Sequence, residues 1–379
     1  MPHPAQTAII QTPQTSPTKI PLAITPSAAI PSIKCPHHVL VQVLAVALNP
    51  NDHKMVTHFN TPNSVAGCDF CGIIIETADT ATGTLASGSG STSTSSSARL
   101  RVGARVCGAL FPYSPADLDN GSFAQFCVVD ARLLVKVPDT WSDLEAASLG
   151  VGWSTISLAL SDPKALGLEG TPTKPTHEGK EPVLVYGGGT ASGTLACQML
   201  KLMGYTPIAI VSTKSAPLAI AYGASATASY TAKDVIDSVK SLAGRPIRRV
   251  LDCITDADSA AICFGTMART GGTYACLEDC PETWRTRRVV KVKEVMGFQV
   301  LGVDITLGGS TYTRPADQKL MDIGMLWARE MEVLMEGGSV RPHPLREVEG
   351  GWEGIIRGLE MLRKGEVRGE KLVVRIPQV

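Results

Sequence analysis

The sequence predicts an α/β protein of two domains, one rich in β structure and one built on a doubly wound parallel sheet. Residues 38–138 contain short β-branched runs separated by Gly, Pro and Asn, which is typical of β-strands and turns. From residue 181 to about residue 312, apolar strands alternate with helical segments, which indicates βαβ units and a parallel sheet. The 379 residues are enough for two hydrophobic cores.

Two further segments complete this division. Residues 80–98 are rich in Gly, Ser and Thr, so we expect a disordered insertion in the β-rich domain. Residues 318–336 have the pattern of a long amphipathic helix, and a helix and a strand follow it. We expect this end of the chain to return to the first domain. The predicted domains are therefore 1–160 with 313–379, and 161–312.

Composition narrows the possible partners and the compartment. Lys and Arg total 35, as do Asp and Glu, which argues against nucleic acid as the main partner. No apolar run approaches the ~18 residues of a membrane-spanning helix, so no membrane association is expected. The ten cysteines show no disulfide framework and no secretory signal precedes them, which predicts a cytoplasmic protein with reduced thiols.

A glycine-rich turn opens the parallel-sheet domain, in the stretch VLVYGGGTASGTLACQML. Gly187, Gly188 and Gly189 follow an apolar strand, and a helix follows them, as in a site for a dinucleotide pyrophosphate. Gly193 would let that helix pack closely on its strand. A glycine triplet alone also fits a hairpin or loop, and Ser192 stands where the G-x-G-x-x-G pattern has its last glycine.

The segment after the second strand of this domain indicates which dinucleotide binds. NAD sites use a carboxylate there, yet no Asp or Glu occurs between Glu181 and Asp234. The strand is followed instead by Ser212, Thr213 and Lys214, whose hydroxyl and ammonium groups suit a 2′-phosphate. Lys214 taken alone would fit a solvated loop. The missing acid makes NADPH the predicted cofactor.

Several longer stretches resemble a known family. They include AVALNPNDHKM, VAGCDFCGIIIE, WSTISLAL, HPLREVEGG and GEKLVVRI, in addition to the glycine-rich turn. Together they resemble the medium-chain dehydrogenase/reductase superfamily, and within it the trans-acting enoyl reductases of fungal polyketide pathways. The resemblance implies a GroES-like β-rich catalytic domain and a Rossmann domain. It also implies NADPH-dependent reduction of the α,β-unsaturated thioester of a growing polyketide chain.

The resemblance implies a set of cofactor-binding residues. Beside the nicotinamide and its ribose would lie Asn51, Asp52, His53, Lys54, Leu277 and Glu278. The pyrophosphate would be held by Thr190, Ala191, Ser192 and Gly193. Around the 2′-phosphate and adenosine would lie Thr213, Lys214, Ser215, Ala216 and Tyr230. Arg368 and Gly369 would close over the cofactor.

It also implies a substrate pocket and two catalytic residues, Lys54 and Thr155. The pocket would be lined by Thr155, Ile156, Ser157, Leu158, Ala159, Leu160, Asp304, Ile305, Thr306, Leu307 and Gly308. Lys54 could supply charge or a proton near the nicotinamide, and the Thr155 hydroxyl could donate a hydrogen bond to the substrate carbonyl. Without the motif NPNDHK, Lys54 would be taken for a solvated surface lysine.

No metal is expected. Zinc enzymes of the superfamily need Cys, His and acidic ligands, but the corresponding stretches here read NPND at 49–52 and GCD at 67–69. Two cysteine pairs, Cys68 with Cys71 and Cys276 with Cys280, lack a second pair at zinc spacing.

The implied partner is the acyl carrier domain of a polyketide synthase without a working enoyl reductase, and the chain is expected to be a monomer. Residues 284–293, WRTRRVVKVK, form the most basic local run and could dock an acidic carrier, although a solvated strand face explains them equally well. Two other functions remain open: a free-standing zinc-independent quinone or enone oxidoreductase, and a non-catalytic NADPH-binding protein.

Overall fold

The computed structural model describes residues 5–16, 18–78, 100–176, 181–308 and 310–378. The predicted insertion at residues 80–98 lies outside these residues. The chain divides into two compact units. Unit 1 consists of Met1–Val151, Leu301–Asp317 and Pro344–Val379, and unit 2 of Gly152–Val300 and Gln318–His343.

Strands and helices of the described residues are numbered in chain order. The strands are β1 (Ala5–Gln11), β2 (Leu22–Ala29), β3 (His38–Ala47), β4 (Asp69–Thr77), β5 (Arg105–Ala109), β6 (Phe126–Asp130), β7 (Val135–Lys136), β8 (Pro182–Tyr186), β9 (Thr206–Val211), β10 (Ala226–Ser229), β11 (Arg249–Asp252), β12 (Gly272–Cys276), β13 (Val290–Glu294), β14 (Leu345–Glu347) and β15 (Lys371–Arg375). The α-helices are α1 (Pro50–His58), α2 (Asp143–Ala147), α3 (Gly150–Ser161), α4 (Ala191–Leu202), α5 (Ala216–Ala221), α6 (Val235–Ala243), α7 (Ala257–Thr266), α8 (Gln318–Glu336) and α9 (Gly351–Arg363).

Unit 1 is built on a seven-stranded sheet in the order β14-β15-β3-β4-β5-β7, with β6 also paired to β3. The long strand β3, HVLVQVLAVA, is buried over most of its length and pairs antiparallel with β4, β6 and β15. Its β-branched and apolar residues suit a strand with neighbours on both edges. The C-terminal strand β15 thus completes the sheet of unit 1.

Unit 2 is built on six parallel strands in the order β10-β9-β8-β11-β12-β13. This is the doubly wound order, in which the chain reverses direction across the sheet between β8 and β11. The first strand, PVLVY, is buried at every position, as expected for a strand covered on both faces. The predicted fold class, a β-rich domain with a Rossmann domain, is confirmed.

Helix α8 has the predicted bounds but falls in unit 2 and not in the β-rich domain, the domain predicted for residues 313–379. Its Trp327 donates a hydrogen bond from Nε1 to Ser161 Oγ at 2.8 Å. Its Glu330 carboxylate accepts hydrogen bonds from the backbone N–H and the hydroxyl of Thr173, each at 2.8 Å. An amphipathic pattern shows that one helix face is buried, but not which domain covers it.

Candidate cofactor site and active site

The glycine-rich turn between β8 and α4 has the geometry of a phosphate-binding turn. Gly187 adopts a left-handed conformation, with φ at 77°. The Thr190 hydroxyl accepts a hydrogen bond from the Gly193 N–H at 3.0 Å and donates one to the Gly187 carbonyl at 2.8 Å. A side chain at Gly193 would collide with that carbonyl. The turn therefore holds the N-terminus of a 12-residue helix, with its unpaired N–H groups, against the end of β8.

The segment after β9 adjoins this turn. A Cβ on Gly189 would lie 2.7 Å from the Cβ of Ser215, so the Ser215 side chain packs directly against the glycine. The Ser212 hydroxyl accepts from the Ser215 N–H at 3.2 Å and fixes a short 3-10 helix over Thr213–Ser215. Thr213 and Lys214 are exposed, and Ala216 begins α5.

Tyr230 lies at the same end of the sheet. Its backbone N–H donates to the carbonyl of Val211, the last residue of β9, at 3.3 Å, and its side chain is 44% exposed. Exposed hydroxyl, ammonium and aromatic groups thus gather beside the glycine-rich turn. Residues 182–233, which carry all of these groups, contain no Asp or Glu.

A buried carboxylate that the sequence analysis did not single out ends the neighbouring strand β11. Asp252 Oδ1 accepts hydrogen bonds from the backbone N–H groups of Ile254 and Thr255, at 2.9 and 3.0 Å. Its Oδ2 accepts from the hydroxyls of Ser259 and Tyr274, at 2.6 and 2.8 Å. Burial raises the pKa of Asp252 above its usual range.

This network positions the loop directly after β11, which contacts both the glycine-rich turn and the end of β12. Thr255 is left-handed, with φ at 62°, and its hydroxyl accepts from the Leu277 N–H at 3.2 Å. A Cβ on Gly187 would lie 2.9 Å from a side-chain carbon of Ile254. Leu277 and Glu278, both half-buried, therefore follow β12 at the same end of the sheet as the turn.

In unit 1, helix α1 carries the motif NPNDHK. Asp52 is buried, and its Oδ2 accepts from the Asn49 N–H at 2.8 Å as part of a capping box. Its Oδ1 accepts from the Tyr113 hydroxyl at 3.3 Å. Asp52 therefore caps the helix through a buried carboxylate, and its contact with the cofactor stays a prediction.

The three residues beside Asp52 remain accessible to different degrees. Lys54 is exposed, whereas Asn51 and His53 are half-buried. The Asn51 amide donates to Cys68 Sγ at 3.8 Å, while its buried Oδ1 has no hydrogen-bond partner among the described residues. Burial and the neighbouring Lys54 lower the pKa of His53 to about 4. The His53 imidazole is therefore uncharged at neutral pH.

A buried ion pair ties α1 to the C-terminal strand. The Lys371 ammonium, at the start of β15, lies 2.9 Å from Asp69 Oδ2 and 2.5 Å from Asn49 Oδ1. The Asn49 amide donates to the same Asp69 oxygen at 2.9 Å. The stretches GCDF and GEKL both belong to the family resemblance, but no local pattern shows that their charged residues pair.

Directly before β15 lie two of the predicted cofactor residues. Arg368 is exposed, and Gly369 is left-handed with φ at 70°. Glycine suits this turn because other residues would be strained there. The side chain of Arg368 is thus presented at the surface of unit 1.

The predicted substrate helix is mostly core. In α3, five of the predicted pocket residues are buried within the described chain: Ile156, Ser157, Leu158, Ala159 and Leu160. The Ser157 hydroxyl donates to the Ser154 carbonyl at 2.7 Å. A helix with an apolar pattern all round is usually a core helix, and the substrate contacts of these five residues stay a prediction.

Thr155, on the same helix, packs closely against Gly297. A side chain on Gly297 would collide with the Thr155 hydroxyl, so glycine is needed to leave that group in place.

In the later pocket segment, Asp304 and Thr306 are exposed, while Ile305 and Leu307 are buried. Gly308 is left-handed, with φ at 61°.

The basic run at residues 284–293 is not one surface, contrary to the docking hypothesis. Arg285 bonds to the Cys280 carbonyl and to Glu294, and Lys293 lies 4.0 Å from Asp162. Arg287 donates to the carbonyls at the C-terminal end of α7, at 2.6–3.2 Å, and so acts as a helix cap.

Within the described residues, no group of three His, Cys, Asp or Glu side chains is placed to hold a metal ion. All ten cysteines are free thiols. Burial raises the pKa of the Cys68 and Cys71 thiols well above the usual range. No helix of the described ranges is long and apolar enough to cross a membrane.

Replacing Asp52 with asparagine should change the pH dependence of stability. Burial raises the pKa of Asp52 from 3.8 to about 6, so the folded chain holds this proton more tightly than the unfolded chain. The stabilisation that the protonated carboxyl provides is complete below pH 4 and is lost as the pH rises to 6. The loss amounts to about 3 kcal/mol.

Asparagine does not titrate, so the Asp52→Asn variant does not lose this stabilisation as the pH rises. Its stability relative to the native chain should therefore increase between pH 4 and pH 7. Urea unfolding across that range measures the difference. A difference that stays constant with pH would show that Asp52 does not titrate in this window.

Comparison with known proteins identifies the family. Residues 35–139 match the alcohol dehydrogenase GroES-like domain. The chain is 72% identical over 378 residues to a trans-enoyl reductase of Penicillium decumbens, covering 100% of both chains. It is 47% identical over 378 residues to a trans-enoyl reductase of Phaeosphaeria nodorum, covering 99% of both.

Solved structures with lower identity share the fold. An alcohol dehydrogenase superfamily protein from Novosphingobium aromaticivorans has a TM-score of 0.71 at 20% identity, covering 98% of this chain and 100% of that one. A crotonyl-CoA carboxylase/reductase in complex with NADP has a TM-score of 0.68 at 18% identity, covering 98% of this chain and 95% of that one. The relatives and the fold together show that this chain belongs to the fungal trans-enoyl reductases, oxidoreductases of the medium-chain dehydrogenase/reductase superfamily.

Proposed function

We propose that this chain uses NADPH to reduce the carbon–carbon double bond of an α,β-unsaturated thioester, and that the substrate is a polyketide chain held by a separate synthase. The observation that carries the proposal is the pair of adjoining turns in unit 2. One is a capped helix N-terminus that suits a pyrophosphate, and the other is an acid-free turn with exposed Thr213 and Lys214. The family relationship supplies the substrate class.

The residues present fit a dinucleotide. A Cβ at Gly193 would collide with the Gly187 carbonyl, so glycine lets the helix N-terminus lie close against the left-handed turn at Gly187. The pyrophosphate would lie on Thr190, Ala191 and Ser192. When bound, NADPH supplies a hydride for the β-carbon of the substrate, and a proton then completes the saturated product at the α-carbon.

The protein would stabilise the negative charge that develops on the thioester carbonyl oxygen. Lys54 suits this role, because it is exposed and His53 beside it is uncharged at neutral pH. The Thr155 hydroxyl can donate a hydrogen bond, and its contact with Gly297 restricts where that hydroxyl lies. We therefore propose a catalytic role for Lys54 of unit 1 and for Thr155 of unit 2.

The proposed partner is the acyl carrier domain of a polyketide synthase that lacks a working enoyl reductase, and the proposed location is the cytoplasm. Ten free cysteines fit a reducing compartment. We also propose a monomer. The outer strand of the parallel sheet, β13, carries Lys291 and Lys293, and lysines on an edge strand oppose strand-to-strand association.

Reconstitution tests the proposal. A candidate synthase, chosen from the genes that neighbour this one, would be incubated with malonyl-CoA and NADPH, with and without this chain. We expect products with fewer double bonds only when the chain is present. Identical products in both reactions, together with no reduction of an enoyl pantetheine thioester, would reject the function.

Cofactor preference gives a second test. We expect NADPH to bind more tightly than NADH, and Lys214→Ala to weaken NADPH binding by about tenfold while leaving NADH binding unchanged. Fluorescence titration measures both dissociation constants, and Lys201→Ala, an exposed lysine of the same unit, is the control. Equal or tighter NADH binding by the native chain would contradict the assignment.

A further inference from the structure

Three loops of unit 2 meet at the amino ends of β11, β12 and β13. In the register of the sheet, Arg249 pairs with Thr273, and Gly272 pairs with Val290. A side chain on Gly272 would collide with the Arg248 carbonyl. Residues 245–249, 268–272 and 286–290 are therefore neighbours on one surface, and none of them is Asp or Glu.

The exposed arginines of this surface include one from each loop: Arg248, Arg269 and Arg288. Arg245, in the first loop, is exposed as well. Within the described ranges, none of Arg248, Arg269 and Arg288 forms an ion pair. The whole chain has a net charge of zero, so an acid-free cluster of this kind is a local feature. We call Arg248, Arg269, Arg288 and the adjacent Val289 the arginine surface.

Val289 gives the arginine surface an apolar part. Val289 directly precedes β13, and its side chain is 57% exposed. An apolar residue among arginines is typical of protein interfaces, where Arg is enriched and Lys is depleted.

Arg287 makes this surface rigid. Its guanidinium binds the carbonyls of Phe264, Met267, Ala268 and Arg269, and so joins the loop before β13 to the loop before β12. A side chain on Gly271 would collide with the Val289 carbonyl, so the two loops are also in backbone contact. A surface fixed in advance loses little conformational entropy on binding.

Position within unit 2 separates the arginine surface from the cofactor turn. The glycine-rich turn follows β8 at the carboxyl end of the parallel strands, whereas the arginines precede β11, β12 and β13 at the amino end. A strand of five residues is about 17 Å long. A protein bound to the arginine surface would thus leave the carboxyl end of the sheet uncovered.

We propose that the arginine surface binds an acidic face on the body of the partner synthase, and so keeps the reductase attached while the carrier domain delivers its chain. The proposal rests on the proposed function, because it takes the synthase as the partner. Protein is favoured over nucleic acid because the charge is confined to a few side chains around an apolar one. Electrostatic attraction of this kind mainly speeds association and orients the partners.

The test compares two charge-matched variants. Arg269→Glu/Arg288→Glu alters the arginine surface, and Lys201→Glu/Lys240→Glu makes the same change of charge at exposed positions on α4 and α6. Binding of each to the immobilised synthase used in the reconstitution would be measured by interferometry at two salt concentrations. Reduction of an enoyl pantetheine thioester, which needs no docking, would be measured in parallel.

We expect the arginine variant to bind the synthase at least about tenfold more weakly, and the lysine variant to bind within about twofold of the native chain. Added salt should weaken the native complex more than that of the arginine variant. Reduction of the pantetheine thioester should be unchanged in both variants.

Three results would overturn the proposal: equal weakening by both variants, no weakening by either, or no binding of the native chain. Binding of a duplex DNA oligonucleotide that the arginine variant loses would assign the surface to nucleic acid instead. If the native chain does not reduce the pantetheine thioester, the proposed function itself is rejected.

Discussion

Replacing Lys371 with methionine is expected to lower the free energy of unfolding by about 3–5 kcal/mol. Lys371 is buried, and its ammonium lies 2.9 Å from the fully buried carboxylate of Asp69. Methionine fills most of the same space but leaves that carboxylate without its counter-ion. Urea unfolding of the full chain measures the effect, and Lys291→Met, at an exposed position, is the control.

A double variant separates the lost charge from lost packing. In Asp69→Asn/Lys371→Met no unpaired buried charge remains, so the double variant should be more stable than Lys371→Met alone. If Lys371→Met unfolds at the same urea concentration as the native chain, the pair does not hold β15 to α1 and β4.

Substitutions at Lys54 and Thr155 are expected to lower turnover by ~10²-fold each while leaving NADPH binding nearly unchanged. The reason is that both groups are proposed to act on charge that develops in the transition state. Lys54→Ala and Thr155→Val remove the ammonium and the hydroxyl, while Lys54→Arg and Thr155→Ser retain them. Steady-state kinetics on an enoyl pantetheine thioester, with NADPH titration, measures both effects.

Lys54→Arg and Thr155→Ser, which keep the charge and the hydroxyl, are the controls. They should recover a large part of the activity if charge and hydrogen bonding are what matter. Gly297→Ala should resemble Thr155→Val, because its methyl group would displace the hydroxyl. Native turnover in Lys54→Ala and Thr155→Val would show that neither residue acts in the reaction.

Features with a local signature could be predicted from the sequence. The glycines at 187–189 and 193 predict a turn and a close helix–strand contact, and the structure shows both. The alternation of strands and helices predicts the parallel sheet, because a helix that crosses over between two strands of one sheet brings the second strand back parallel to the first. The bounds of α8 follow from its amphipathic pattern over residues 318–336.

Features that depend on distant residues could not. Asp252 looks like any acid after a strand, yet it binds groups from its own loop, from α7 and from β12. Lys371 and Asp69 are 302 residues apart, and no periodicity links them. Similarly, the basic run at 284–293 has one pattern in sequence, but folding divides its cations among a helix cap, two acids and the solvent.

Deuterium transfer tests the central claim, NADPH-dependent reduction of an activated alkene, most directly. The native chain would be incubated with an enoyl pantetheine thioester and NADPH carrying deuterium at the transferable hydride position of its nicotinamide. Mass spectrometry and NMR would locate the label. The account predicts a saturated thioester with one deuterium on the β-carbon. An unreduced alkene, a reduced carbonyl, or deuterium on the α-carbon would contradict it.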